Sequence, residues 1–288
     1  SLCQQVLERF DQQYSQELGD LWPSCPPNDS HLQPDSTSHE LCQDLQSEPS
    51  LSSPRPTLQC YIHPYPLRFP SQAHRPGQLK QYYLLNAASL LPVLALQIRD
   101  GEKVLDLCSA PGGKALAITQ CATPGNATLL CCNEPDPHRR DWLSKTLESF
   151  LPQSLISRVI VSAQDGRSFG QSEAGTYDKV RGVLPWLEMN ENSKSALSAV
   201  RPGGAVVYST CTLSSSENCA VVETVLNDCP EADPEDLWEE IAIPLAKYFT
   251  FSPNGTSSPY RHRLGILVVP QPGKTWGPMF LSRIRRRK

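Results

Sequence analysis

The segment Lys103–Ile118, KVLDLCSAPGGKALAI, constrains the fold of this chain more than any other stretch. Its first residues, Lys103–Leu107, are mostly apolar, as expected of a parallel strand that is covered on both faces. Gly112 and Gly113 then allow a sharp turn and a close approach of the backbone to a ligand. Ala115–Thr119 suit a helix whose first amide groups point back at the turn. The pattern predicts the strand–turn–helix unit at which α/β proteins bind nucleotide-like ligands.

Two common nucleotide-binding turns are excluded by the residues at this position. A Walker A loop begins with glycine and ends with Lys-Ser or Lys-Thr, whereas Cys108 and Ala115 occupy those places here. The dinucleotide signature G-x-G-x-x-G is also absent from the turn. Because Pro-Gly-Gly also suits a purely structural turn, the class of ligand has to be inferred from other residues.

Composition limits the class of protein. The 288 residues are enough for one sizeable domain with an appendage. The formal net charge of −4 means that a nucleic-acid partner needs a local patch, for which the basic run Arg283–Lys288 is a candidate and a solvated end the alternative. The eleven cysteines include no C-x-x-C pair, which is typical of a reducing compartment and predicts no metal site. No apolar run approaches the roughly 20 residues that span a bilayer.

The chain divides by composition into three predicted parts. Residues 1–22 carry apolar residues at helical spacing and are predicted to form an N-terminal helical extension. Residues 23–58 are rich in Pro, Ser, Asp and Gln, and are predicted to be a disordered linker. Residues 59–288 are predicted to form a single α/β domain.

Strands and helices alternate along that domain. The predicted strands are Val104–Leu107, Thr128–Asn133, Val159–Ser162, Tyr177–Val183, Gly204–Ser209, Leu264–Val269 and Met279–Ile284. The predicted helices are Tyr82–Leu96, Ala115–Thr123, Arg139–Phe150, Trp186–Val200 and Glu217–Asn227, the last with a capping box formed by Ser214 and Glu217. This alternation predicts a doubly wound, mostly parallel sheet.

The ends of the predicted strands carry residues that suit one ligand, since ligands of such sheets lie beyond the carboxyl ends of the strands. Glu134 follows the second strand, where a carboxylate can accept ribose hydroxyls, and Asp165 follows the third, where it can bind an adenine amino group. Cys211 ends the fifth strand ahead of a helix, an environment that favours a thiolate. Each residue has an ordinary alternative, namely a surface carboxylate, a turn residue or an inert thiol. Together they favour an S-adenosylmethionine site over a nicotinamide site.

Two motifs, LDLCSAPGGKALA and VVYSTCTLSSSEN, resemble those of the Nop/Sun (RsmB/NOP-type) family of RNA cytosine-5 methyltransferases. The resemblance covers Leu79–Arg286 and is strongest to the mitochondrial branch of the family. It implies a Rossmann-like class I methyltransferase fold with S-adenosylmethionine as cofactor. It further implies that the substrate is an RNA. The resemblance to the mitochondrial branch implies a tRNA, namely the mitochondrial methionine tRNA. A monomer in the mitochondrial matrix, without metal or membrane, is the expected form.

The resemblance also assigns roles to the matching residues. The loop residues would hold the methionine end of the cofactor: Cys108, Ser109, Ala110, Pro111, Gly112, Gly113 and Lys114. Glu134 would bind the ribose with Arg139 nearby, and Asp165 and Gly166 would contact the adenine. Cys211 would be the nucleophile that adds to carbon 6 of cytosine and so makes carbon 5 reactive toward the methyl group.

One motif of the family has no counterpart in this chain. Family members carry Asp-Ala-Pro-Cys-Ser on the fourth strand, but Val183 and Trp186 stand where its aspartate and cysteine belong. The same register puts Arg181 into a buried strand, which is costly without a partner. A deleted segment explains the mismatch better, and it predicts an intact cofactor pocket with impaired methyl transfer. A variant that only binds RNA or S-adenosylmethionine is the alternative.

Overall fold

The structure is a computed structural model that describes residues 58, 72–73, 75, 77–121, 128–182, 189–252, 264–271 and 276–288. All of them lie in the unit Ser38–Lys288. The predicted N-terminal helix and nearly all of the predicted linker lie outside the described residues.

Helices and strands alternate along the described chain. The helices are α1 (Leu91–Leu96), α2 (Gly113–Gln120), α3 (Pro137–Phe150), α4 (Gln153–Ile156), α5 (Phe169–Ser172), α6 (Met189–Ala199) and α7 (Cys219–Asp228). The strands are β1 (Lys103–Asp106), β2 (Leu129–Asn133), β3 (Val159–Ser162), β4 (Tyr177–Gly182), β5 (Val200–Thr210), β6 (Ala232–Glu235), β7 (Phe251–Ser252), β8 (Ile266–Val268) and β9 (Met279–Arg286).

The strands form one sheet in the order β3-β2-β1-β4-β5-β9-β8-β7, with β6 paired to β9 outside this path. Strands β1 to β5 pair in parallel, whereas β6 to β9 pair antiparallel. Two apolar clusters cover the two faces, one including α1 and α2 and the other including α6 and α7. The predicted doubly wound, mostly parallel α/β sheet is confirmed, and its parallel part brings the carboxyl ends of five strands to one edge.

Several predicted element bounds are wrong for local reasons. The predicted helix Tyr82–Leu96 is a short 3₁₀ turn, Ala87–Leu90, followed by α1, because the Asn86 side chain caps the turn by accepting the Ala88 N–H. The predicted capping box at Ser214 does not form: its side chain makes no cap bond, a 3₁₀ turn follows it, and α7 begins only at Cys219. None of the described helices is long and apolar enough to cross a membrane.

The basic run at the end of the chain is mainly structural. Arg283 is only 5% exposed and bonds to Glu235, Glu240 and the Ala95 carbonyl. Arg286 donates to the carbonyls of Ser198 and Val200 at 2.9 and 2.7 Å. Neither interpretation of Arg283–Lys288, a patch for nucleic acid or a solvated end, describes Arg283 and Arg286, because their guanidinium groups fasten β9 to its neighbours.

Candidate cofactor and cysteine site

The loop between β1 and α2 forms a closed glycine turn. The N–H of Gly112 donates to the Ser109 carbonyl at 2.8 Å. Gly112 has a φ of 110°, in the left-handed region, and a Cβ there would lie 3.0 Å from Cγ2 of Thr146. At Gly113 a Cβ would lie 2.6 Å from Cε1 of Tyr83. The turn therefore requires both glycines, and it places the first amide groups of α2 at the sheet edge.

A buried carboxylate lies beside this loop. Glu134 is 1% exposed, and its Oε2 lies 3.2 Å from Nη2 of Arg139. The same Nη2 lies 3.7 Å from Sγ of Cys108 and 3.5 Å from the Ala110 carbonyl. Burial raises the pKa of the Cys108 thiol, and the neighbouring carboxylates of Asp106 and Glu134 raise it further. The structure thus brings Cys108, Ala110, Glu134 and Arg139 together, with Arg139 lying across the carboxylate.

The predicted adenine residues lie in a turn after β3. Asp165 caps the 3₁₀ turn Gly166–Ser168 by accepting the Arg167 N–H at 2.9 Å. Its carboxylate also pairs with the Arg167 guanidinium at 2.5 Å, and that hydrogen bond lowers the pKa of Asp165. The Gly166 carbonyl accepts the Ser195 hydroxyl at 2.9 Å. Asp165 is therefore engaged by Arg167, a partner that the sequence did not indicate.

A buried ion pair joins the ends of β1 and β4. Asp106 and Arg181 are opposite each other in the strand register, 0% and 2% exposed, with Oδ1 and Nη1 2.6 Å apart. Nη1 also donates to the Cys108 carbonyl at 3.4 Å, whereas Oδ2 of Asp106 and Nε of Arg181 have no hydrogen-bond partner. Burial, assisted by the Arg181 guanidinium, lowers the pKa of Lys114 to about 8, while Asp106 and Cys211 act in the opposite direction. Arg181 therefore does lie within the sheet, and the ion pair with Asp106 offsets the free-energy cost of burying its charge.

Cys211 follows β5 and is exposed. Its two neighbours are held by one side chain, Asn218, which is 2% exposed. Asn218 accepts a hydrogen bond from the Thr210 hydroxyl and donates from Nδ2 to the Thr212 carbonyl at 3.0 Å. An exposed thiol on a fixed turn can add to a base presented from solvent.

Sequence reasoning assigned no role to three buried polar residues of this edge: Asp106, Asn133 and Asn218. The available signal was a polar side chain at the end of an apolar strand, as in VLD at β1 and LLCCN at β2. Within the described residues, no group of three or more His, Cys, Asp or Glu side chains could hold a metal ion.

The family described as 16S rRNA methyltransferase RsmB/F matches residues 93–183 and 189–255 of this chain. The match is interrupted after Val183, the residue that stands where the family aspartate was expected. It includes the glycine loop, Glu134, Asp165 and Cys211.

Curated relatives are similar along almost the whole chain. The mitochondrial tRNA (cytosine(34)-C(5))-methyltransferase of Danio rerio is 44% identical, over 99% of this chain and 88% of that protein. The Mus musculus protein of the same name is 40% identical, over 99% of this chain and 91% of that protein. The 5-cytosine rRNA methyltransferase NSUN4 of Mus musculus is 32% identical, over 98% of this chain and 88% of that protein.

Solved structures share the fold at low sequence identity. NSun6 of Pyrococcus horikoshii, solved with SFG, is 19% identical with a TM-score of 0.57, over 76% of this chain and 57% of that one. The structure of PH0851 is 20% identical with a TM-score of 0.56, over 71% of this chain and 47% of that one. Motifs, family match and relatives agree. The chain belongs to the RsmB/F family of S-adenosylmethionine-dependent RNA cytosine-5 methyltransferases, the Nop/Sun family that its motifs resemble.

Proposed function

We propose that this chain is a mitochondrial tRNA cytosine-5 methyltransferase, acting on methionine tRNA in the matrix, with Cys211 as its nucleophile and with impaired methyl transfer. The substrate class is supported by the two relatives named as tRNA (cytosine(34)-C(5))-methyltransferases, which match 99% of the chain. The position of Cys211, exposed at the end of β5 between two residues that Asn218 fastens, supports its role.

The residues at the sheet edge fit a cofactor made of adenosine and an amino acid. The glycine turn and Lys114 suit the amino-acid end, because helix amide groups and an ammonium group both attract a carboxylate. The buried carboxylate of Glu134 suits the ribose hydroxyls if Arg139 moves aside. The turn at Asp165 and Gly166 suits the adenine once Arg167 releases the carboxylate. When bound, the cofactor supplies an activated methyl group.

Cys211 would perform the covalent part of the reaction. Its thiolate adds to carbon 6 of the target cytosine, which makes carbon 5 nucleophilic enough to take a methyl group. A base then removes the proton from carbon 5, the carbon–sulfur bond breaks, and the thiolate is regenerated with 5-methylcytosine. The target base has to leave its stack to reach an exposed thiol on this edge.

Impairment is inferred from the fourth strand. The family match stops at residue 183 and resumes at 189. The alignment with the Danio rerio relative runs over 334 residues although this chain has 288, so it opens gaps in this chain. Arg181 is the second-last residue of β4, just before the position at which the motif is expected. Without the motif the cytosine edge loses a partner, and misplacement of a reacting group typically costs about 10²-fold in rate.

The test is to replace residues 183–188 by the fourth-strand segment of the Danio rerio relative and to measure transfer of tritiated methyl groups to methionine tRNA. We expect both chains to bind S-adenosylhomocysteine, with transfer by the unaltered chain slower by about 10²-fold. In the restored chain, Cys211→Ala should abolish transfer, whereas Cys219→Ala, a half-buried thiol on α7, should not. Equal rates for unaltered and restored chains would refute impairment, and an active Cys211→Ala variant would refute the nucleophile.

A further inference from the structure

Asn133 is the last residue of β2 and lies between the ends of β1 and β3. It is 0% exposed, and its register partner on β3 is Ser162. An amide at this depth needs hydrogen-bond partners, since a buried unpaired polar group is costly.

Its hydrogen bonds run in two directions. Toward β1, Nδ2 of Asn133 donates to the Leu107 carbonyl at 3.2 Å, and the Asn133 carbonyl accepts the Ser109 N–H at 2.9 Å. Toward β3, Nδ2 donates to the Gln164 carbonyl at 2.9 Å, and Oδ1 accepts the Gln164 N–H at 2.9 Å. One side chain therefore fastens the backbone on both sides of it.

The two fastened segments carry the two halves of the proposed cofactor site. Leu107 and Ser109 flank Cys108 at the start of the glycine loop, which would hold the methionine end. Gln164 directly precedes Asp165, which would contact the adenine. We infer that Asn133 is a positioning residue that sets the spacing between these halves, an inference that rests on the proposed cofactor residues.

Asparagine is suited to this role by its chemistry. Its amide offers two N–H donors for the carbonyls of Leu107 and Gln164 and one oxygen acceptor for the Gln164 N–H. Aspartate keeps the acceptor and the size but has no donor, and its charge would face two carbonyl oxygens. Alanine loses every side-chain bond.

The spacing matters only to a ligand that spans both halves. For such a ligand, binding of the second end is favoured by a high effective concentration once the first end is bound, and that gain depends on geometry. S-adenosylhomocysteine spans both halves, whereas adenosine occupies the adenine and ribose side alone. Loss of the Asn133 amide should therefore lower the affinity for S-adenosylhomocysteine much more than the affinity for adenosine.

Calorimetric titration of the full chain with both ligands tests the inference. We expect Asn133→Ala and Asn133→Asp to lower the affinity for S-adenosylhomocysteine by about tenfold or more. The affinity for adenosine should fall by no more than about twofold. Asn227→Ala, at an exposed asparagine on α7, is the matched control and should bind both ligands as the unaltered chain does. Thermal unfolding of each variant shows whether it is folded, and the uncharged Asn133→Ser serves if the other two variants do not fold.

An equal loss for both ligands, or no loss, would overturn the positioning role. The proposed cofactor site fails in a different way. If Glu134→Gln and Lys114→Met bind S-adenosylhomocysteine as tightly as the unaltered chain, the site residues are wrong whatever Asn133 does.

Discussion

Lys114 shows how the fold adjusts a single side chain for ligand binding. It is the second residue of α2, directly after the glycine turn. Burial and the nearby Arg181 guanidinium lower its pKa to about 8, far below the ordinary value of 10.5 for a lysine. A cofactor carboxylate at this position would find a charged partner only while Lys114 is protonated. The binding of the cofactor should therefore depend on pH in a range where most lysines do not titrate.

The predicted pH dependence has a definite sign. Because the carboxylate favours the protonated ammonium, affinity for S-adenosylhomocysteine should be constant below about pH 7 and should fall as pH rises through about 8. Titration calorimetry between about pH 6 and pH 10 measures this curve. Lys114→Arg should flatten it, since arginine keeps its charge throughout the range. An unaltered chain whose affinity does not change above pH 8 would show that Lys114 is not the partner of the carboxylate.

β4 contains a buried charged residue, Arg181. It lies between β1 and β5, and its register pairs Arg181 with Asp106 on one side and with Val207 on the other. An ion pair this deep stabilises little relative to apolar residues, but removing one partner leaves a buried charge. The integrity of β4 therefore depends on two charges meeting at its end.

This dependence predicts an asymmetry between variants. Arg181→Leu leaves Asp106 charged and buried, and should lower the free energy of unfolding by about 3–5 kcal/mol. The double variant Arg181→Leu with Asp106→Asn removes both charges and should recover most of that loss. Urea denaturation measures the three stabilities. If the single and double variants are equally stable, the pair does not hold β4 in place.

The elements differ in how far the sequence predicts them. The sequence predicts the bounds of β1, β2, β3 and β9 to within about two residues, because apolar runs and turn residues delimit these strands. The predicted helix after Cys211 begins too early, because the 3₁₀ turn Ser215–Glu217 comes before α7. The cost of a buried Arg181 was foreseen, but Asp106 as its partner was not, since only the β1–β4 pairing brings them together. The ion pair between Arg167 and Asp165 is likewise not predictable, because no sequence periodicity or motif indicates it.

The molecule as a whole gathers its candidate site residues at one edge of the sheet. Five parallel strands carry the glycine loop, Glu134, Asp165 and Cys211 to one edge, although these residues are spread between positions 108 and 211. The match to the family is interrupted between residues 183 and 189, next to this edge. We therefore expect a molecule in which the cofactor side of the site is complete and the side that holds the target base is not.

A crystal structure of the full chain with S-adenosylhomocysteine tests this account most directly. It should show the amino-acid end at Gly112–Lys114, the ribose at Glu134 with Arg139 displaced, and the adenine beside Asp165 and Gly166. The sulfur of the ligand should face Sγ of Cys211 across an open gap. A ligand bound elsewhere, or a Cys211 thiol turned away from the ligand sulfur, would contradict it.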